Sequence, residues 1–403
     1  MTATNFMEQI AIPCVLIRGG TSKGLYFHDK DIPPQGPGRD RFLKRAMGTP
    51  DATQIDGLGG ATLMTSKVAI IQRSTRSDAD VDYTFAQVDL ERDAVGYDGN
   101  CGNISSGVGP FSIDEGLVKA IEPYTTVRIY NTNTQKILVA KVPVANGKAR
   151  VLGDFAIAGV PGTGAEIVMD YSNTVGSKTG RLLPTGNAVD EIMLETGRSI
   201  EFTLCDAGNP CIFVAASDLG LTGCELPDAI SANGHLIETI GEIQAKVLQA
   251  LGFCNDWRKA VHLPGLPLFV MISAAADCIT ASGIQLAAES MDLRARLVFL
   301  GKCHLSMAGT GAICTAAASR VDGSVVNKAL GVATKDLGAT LRISHPLGVM
   351  DVKVVVDAAN KAAEPRFEAL GFSRTSRRLM EGLLYVPSDV IDHQKSKQDG
   401  ESE

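Results

Sequence analysis

Cys101 lies between two glycine–asparagine pairs in YDGNCGNISSGVGP, residues 97–110. Asn100 and Asn103 are residue types that cap helices, and Gly99 and Gly102 permit backbone angles closed to other residues. Residues 104–117 have helical length with small side chains along one side. Cys101 is therefore expected at or just before a helix N-terminus. Unpaired amides and the positive end of the helix dipole there favour a thiolate and bind carboxylates. One short loop can hold an acidic substrate beside a proton-transferring sulfur. A cysteine in such a turn can equally be a small apolar packing residue, and the flanking residues alone leave both readings open.

Lys67 is the second candidate. It ends the glycine-rich run QIDGLGGATLMTSK, residues 54–67, beside Ser66, a candidate substrate contact, and directly before the apolar VAII. A lysine at a strand's start is either a solvated edge charge or an amine turned into a cleft and desolvated enough to exchange protons. Further donors cluster in RGGTSKG, where Arg18, Thr21, Ser22 and Lys23 can clamp a carboxylate or form a plain hairpin turn. The spacing is not that of a phosphate-binding loop. Asp206 and Asn209, in TLCDAGNPCIFVAA, are site candidates with an alternative role in shaping a turn. His345 is a donor candidate with an alternative as a satisfied structural histidine.

Strands are expected over residues 10–17 and 25–28, 68–71, 78–88, 126–131 and 137–144. Helices are expected over 40–47, 104–117, 236–251 and 290–299. Residues 372–386 read as a closing segment and 388–403 as a disordered polar tail. SMAGTGA, residues 306–312, opens the small-residue run ICTAAASRV and echoes the Cys101 loop two hundred residues earlier. The echo predicts an α/β (α+β) protein of two pseudo-symmetric halves, residues 1–184 and 185–387, ahead of the tail at 388–403. Each half would place the N-terminus of a central helix, near Gly102 or Gly309, at a shared cleft. The amides of Gly102, Asn103, Thr310 and Gly311 are then candidate oxyanion donors.

Composition agrees with that size and excludes several partners. The 403 residues exceed what one core usually supports, and 45% hydrophobic residues with 42 glycines suit a turn-rich α/β chain. A net charge of −7 argues against nucleic acid and anionic membranes. The N-terminal residues show no signal-peptide pattern, and no apolar run is long enough to span a bilayer. Nine cysteines, odd in number and without zinc or disulfide spacing, suit a reducing cytoplasm. The six histidines are scattered, and only His304 adjoins a cysteine. No metal site is expected, and the oligomeric state is open, with a homodimer possible.

At GNCGN, RGGTSKG, TSKVAI, IDGLGG, DVDYTFAQV, NCGNISSGVGPF, LPTGN, GNPCIFVAASDLG, MAGTGA and LMEGLLYVP, the chain resembles the PrpF family of methylaconitate isomerase-like proteins, over residues 12–386. The resemblance implies a diaminopimelate epimerase-like fold, each half a mixed sheet wrapped around a helix. It also implies a 1,3-proton shift that moves a C=C bond in small unsaturated di- or tricarboxylates, without metal or organic cofactor. Methylaconitate isomerases, 3-methylitaconate Δ-isomerases and 4-oxalomesaconate tautomerases are members. By similarity, the working lysine falls on Lys67 and the working cysteine on Cys101. The epimerases carry a second cysteine where this chain has Ala308, which disfavours inversion between two opposed thiols. An amino-acid epimerase and a carboxylate binder without turnover are the alternatives. The NCGNISSGVGPF and NTNT segments resemble the methylitaconate branch.

Overall fold

In a computed structural model that describes residues 8–260, 266–359 and 364–392, two short helices, Gly102–Asp114 and Gly309–Ala318, lie enclosed by strands. Small residues make the enclosure sterically feasible. A β-carbon at Gly107 would collide with the Tyr26 hydroxyl, which instead donates a 2.6 Å hydrogen bond to the Ile104 carbonyl. In the second helix all ten residues are buried, and eight of them are glycine, alanine or threonine. Such helices present no polar face to water, so the sheet around them must supply the apolar partners.

That sheet is built twice with one pairing pattern. In the first half, Gln9–Gly19 and Ser22–His28 are antiparallel, and Ser22–His28 runs parallel to Lys67–Arg73. Lys67–Arg73 is antiparallel to Val81–Val88, which runs parallel to Tyr124–Asn131, itself antiparallel to Lys136–Ala145. The second half repeats this alternation through Ser199–Ala207, Asn209–Ala215, Leu268–Ala274, Leu293–Phe299, Thr340–His345 and Gly348–Val356. The strand Phe367–Arg374 joins the two, pairing with Gly348–Val356 on one side and Ile167–Asp170 on the other. The last strand, Ser376–Pro387, returns to pair with Gln9–Gly19 along its whole length. The duplicated pattern equates the start of Lys67–Arg73 with the start of Leu268–Ala274, because Gly24 faces Lys67 as Cys211 faces Leu268. One apolar core runs through both halves, from Val108 and Phe111 to Ile313 and Ala317.

Several expectations change in the structure. Residues 290–299 do not form a helix; Leu293–Phe299 is a strand in the middle of the sheet. Its alternation of Leu293, Arg294, Ala295, Arg296 and Leu297 has period two, with Leu293, Ala295 and Leu297 in the core. The arginines are buried on the other face, where Arg294 donates to the Ala274 carbonyl and Arg296 to the Glu225 carbonyl. The RGGTSKG loop shrinks to a two-residue turn at Gly20 and Thr21, and the flanking residues belong to strands. Asp389–Asp392 is a short helix, while residues 393–403 of the expected tail, like residues 1–7, fall outside the described residues. Among the described residues no helix is long and apolar enough to cross a membrane.

Candidate active site

The first central helix starts at Gly102 with Cys101 as its extended N-cap residue, and no side chain caps it. Asn100 and Asn103, expected as caps, are engaged elsewhere: Asn100 accepts from the Ser105 hydroxyl, and Asn103 bonds Thr21 and Arg374. The second helix starts at Gly309 with Ala308 as an equally uncapped N-cap. The first-turn amides of both helices are therefore not taken by a capping side chain. The two starts meet directly. A β-carbon at Gly309 would lie 3.1 Å from the Gly102 Cα and 2.8 Å from Phe372 Cζ, so only glycine permits this approach. Asn209 locks the junction, accepting from the Asn100 amide (3.0 Å) and donating to the Asn100 carbonyl (2.9 Å) and Thr310 hydroxyl (3.0 Å).

A cleft of about 290 Å³ opens over this junction. Of the residues singled out in the sequence, Lys67, Asn100, Cys101 and Gly102 line it from the first half, with Asn103 beside them. Asn209, Gly309 and Thr310 line it from the second. Lys67 is 5% exposed, and its amine donates a 2.6 Å hydrogen bond to Gln87 Oε1 on the paired strand. Burial draws the amine's pKa below the ordinary lysine value, while the Cys101 sulfur on the same cleft pulls the other way. The Phe85 ring, 5.2 Å from Nζ, also favours the charged form. The balance is an amine whose neutral form is more accessible than in water.

The remaining candidates lie elsewhere. Arg18 spends one guanidinium nitrogen on the carbonyls of Gly20 and Thr375, fastening the hairpin to the last strands. Ser66 is fully buried, donating to the Val88 carbonyl and accepting from Gln54. Ser22 is 2% exposed and lines neither cavity of the site region. Gly311, in the first turn of the helix, packs under Leu297 and does not line the cleft. Thr21 and His345 line a different cavity, of about 720 Å³, behind Phe372 and Arg374. Burial pushes the His345 pKa down to about 3. Asp206 is a buried anchor, taking hydrogen bonds from Ser177 and from the backbone of Lys178 and Thr179.

Sequence reasoning missed four contributors. Gln87 holds Lys67 and fixes its own amide on the Ser66 carbonyl (2.9 Å). Its signal was a glutamine near the end of an otherwise alternating strand. Arg374, fully enclosed and with its pKa lowered to about 10 by burial, donates to Asn103 Oδ1 from behind the helix start. His304 lines the cleft beside Ala308, and Arg92 lies at its rim paired with Asp89. Neither Cys303 nor Cys314 lines the cleft; both thiols are buried, bonded to the carbonyls of His304 and Cys205.

Two enclosed helices meeting head to head under a cleft define a diaminopimelate epimerase-like fold. A hydroxyproline epimerase from Agrobacterium vitis shares it, at 12% identity and a TM-score of 0.57 over 95% of this chain and 94% of that one. The chain belongs to the PrpF family, whose model, described as PrpF protein, matches residues 9–387. A crystal structure of methylitaconate-delta-isomerase matches with a TM-score of 0.77 and 45% identity, over 96% of this chain and 98% of that one. A 3-methylitaconate isomerase from Eubacterium barkeri is 45% identical over 94% of this chain and 98% of its own length. A 2-methyl-aconitate isomerase from Cupriavidus necator is 37% identical over 96% and 99%.

Proposed function

We propose that the protein is an allylic isomerase that moves a C=C bond in a small unsaturated di- or tricarboxylate by a 1,3-proton shift. The observation that carries this reading is the placing of the Lys67 amine and the Cys101 thiol together in one cleft, over two uncapped helix starts. A C–H bond between a carboxylate and a C=C is a weak acid. Its removal needs a base with an accessible neutral form and donors for the charge that moves onto the carboxylate. The desolvated amine meets the first need. The amides of Gly102 and Asn103, with that of Thr310 on the second helix, meet the other at the positive ends of both dipoles.

In 3-methylitaconate the base takes the proton from the carbon that bears the methyl group. The C–H pair becomes the new C=C, and the old C=C pair moves outward to its terminal CH₂. A proton returned there makes a methyl group and leaves dimethylmaleate, so atoms and charge balance. One of Lys67 and Cys101 removes the proton and the other returns one. Ala308 stands opposite Cys101, so the two-thiol geometry of an amino-acid epimerase is absent among the described residues. The names of the relatives support methylitaconate and methylaconitate as the first compounds to try.

All nine cysteines are free thiols, which supports a reducing compartment such as the cytoplasm, and a homodimer is compatible with the same site. The test is ¹H NMR of 3-methylitaconate, 2-methylaconitate, aconitate and 4-oxalomesaconate with purified enzyme. A shifted double bond in one of them is expected. Four unchanged spectra would sink the reading.

A further inference from the structure

The duplicated fold gives the cleft two unlike walls. Lys67 corresponds to Leu268 in the second half and Cys101 to Ala308, so both proton carriers have apolar counterparts. Among the described residues His304 is the one titratable side chain that the second half turns to the cleft. It is held from behind: the Ser306 amide donates to His304 Nδ1 at 3.0 Å, which fixes the proton on Nε2. No hydrogen-bond partner for Nε2 exists among the described residues, yet Nε2 is not among the sealed, unpartnered buried atoms. With Nδ1 committed to the backbone, the Nε2–H edge is the one left to the cleft. The ring is only 8% exposed.

We infer that His304 is a catalytic residue that donates Nε2–H, as a neutral imidazole, to the substrate carboxylate oxygen on which negative charge develops. This rests on the isomerase reading and deepens it. Burial and the neighbouring Lys67 amine push the imidazole pKa down to about 4, so the ring is uncharged at neutral pH and keeps the tautomer that Ser306 selects. A neutral donor suits this site. A hydrogen-bond donor aimed where charge develops acts on the barrier, and it does so here without a buried cation beside the Lys67 amine. The division of labour is then one proton-carrying wall and one charge-accepting wall, the second made of His304 and the start of the helix at Gly309.

The test compares His304→Leu with His304→Gln, whose amide can place a donor near the Nε2 position. Loss of one such donor typically costs about 10²–10³ in kcat. His304→Leu is expected to lose about that factor in kcat with KM changed less than a few-fold, and His304→Gln to recover to within about tenfold of wild type. A folded His304→Leu enzyme with kcat within about threefold of wild type, or equal losses in both variants, would overturn the inference. Should the variants not fold, ¹H–¹⁵N spectra of histidine-labelled wild type decide it. The Nε2–H tautomer is expected, with its resonance moving on addition of the saturated analogue 2,3-dimethylsuccinate. An Nδ1–H tautomer, or a resonance unmoved by saturating analogue, would reject it. If wild type converts no unsaturated acid, the isomerase reading falls and the catalytic role of His304 falls with it; an enzyme that converts one while the resonance stays unmoved overturns the inference alone.

Discussion

Replacing Gln87 with leucine would test whether Lys67 is tuned by its surroundings. The Gln87 oxygen accepts from the amine at 2.6 Å, and both residues are almost wholly buried. A hydrogen bond to a charged group contributes about 1.5–3 kcal/mol, and one to a neutral group about 1 kcal/mol. Removing the acceptor therefore costs the ammonium form roughly 1 kcal/mol more than the neutral amine. At about 1.36 kcal/mol per pKa unit, the Lys67 pKa falls by a little under one unit. It starts already below the ordinary lysine value because of burial. The assay is a pH profile of kcat/KM for the variant and the wild type. If Lys67 removes the proton, the acid limb moves to lower pH by about that amount. If it returns the proton, the alkaline limb moves, in the same direction. A profile that stays still or moves upward would refute the tuning argument. The variant should also lose about 1–3 kcal/mol of stability, because the Ser66 carbonyl loses its Gln87 donor.

Other consequences follow from the same geometry. Gly309→Ala should push Phe372 and the two helix starts apart, lowering stability by about 1–3 kcal/mol and kcat by at least tenfold; paired melting and rate measurements check it. Asn209→Leu leaves the buried Asn100 amide and carbonyl without partners, so unfolding in urea should show a loss of about 3 kcal/mol or more. His304 and His345 have folded pKa values lowered from 6.5 to about 4 and about 3, so between those values and 6.5 the unfolded chain binds protons that the folded chain does not. Stability is then full above about pH 6.5 and falls as pH drops, by about 3 kcal/mol for His304 and about 5 kcal/mol for His345 at the low end. His345→Asn should flatten that slope in urea midpoints taken at pH 7 and 4.5, and an unchanged slope would contradict it.

Much of this arrangement was legible from local residue types. The glycine-flanked cysteine and the SMAGTGA echo carried the two helix starts, because a helix that opens at glycine among small residues has few other places to be. Lys67 was visible as a charge at the head of an apolar strand, but whether it was solvated depended on Gln87, twenty positions away and adjacent only through strand pairing. Residues 290–299 read as a helix, and the arginines of Leu293–Phe299 do not announce in the sequence that they are buried. Only the tertiary carbonyls of Ala274 and Glu225 make their burial tolerable. His304 was set aside as a metal ligand. Its orientation comes from the Ser306 amide, a contact no residue type announces. Arg18 and Ser66 looked like substrate donors because exposed and buried hydrogen bonding look alike in one dimension.

The most direct measurement is ¹H and ²H NMR of the isomerisation in deuterated water, with wild type, Lys67→Ala and Cys101→Ser and the acid that wild type converts. The account predicts that wild type places solvent deuterium at the carbon that gains a proton. Both variants should stop the double bond from moving. One of them should still exchange the substrate's allylic proton, identifying the other as the base. If both variants moved the double bond at wild-type rates, the pair of proton carriers at the centre of this account would be wrong.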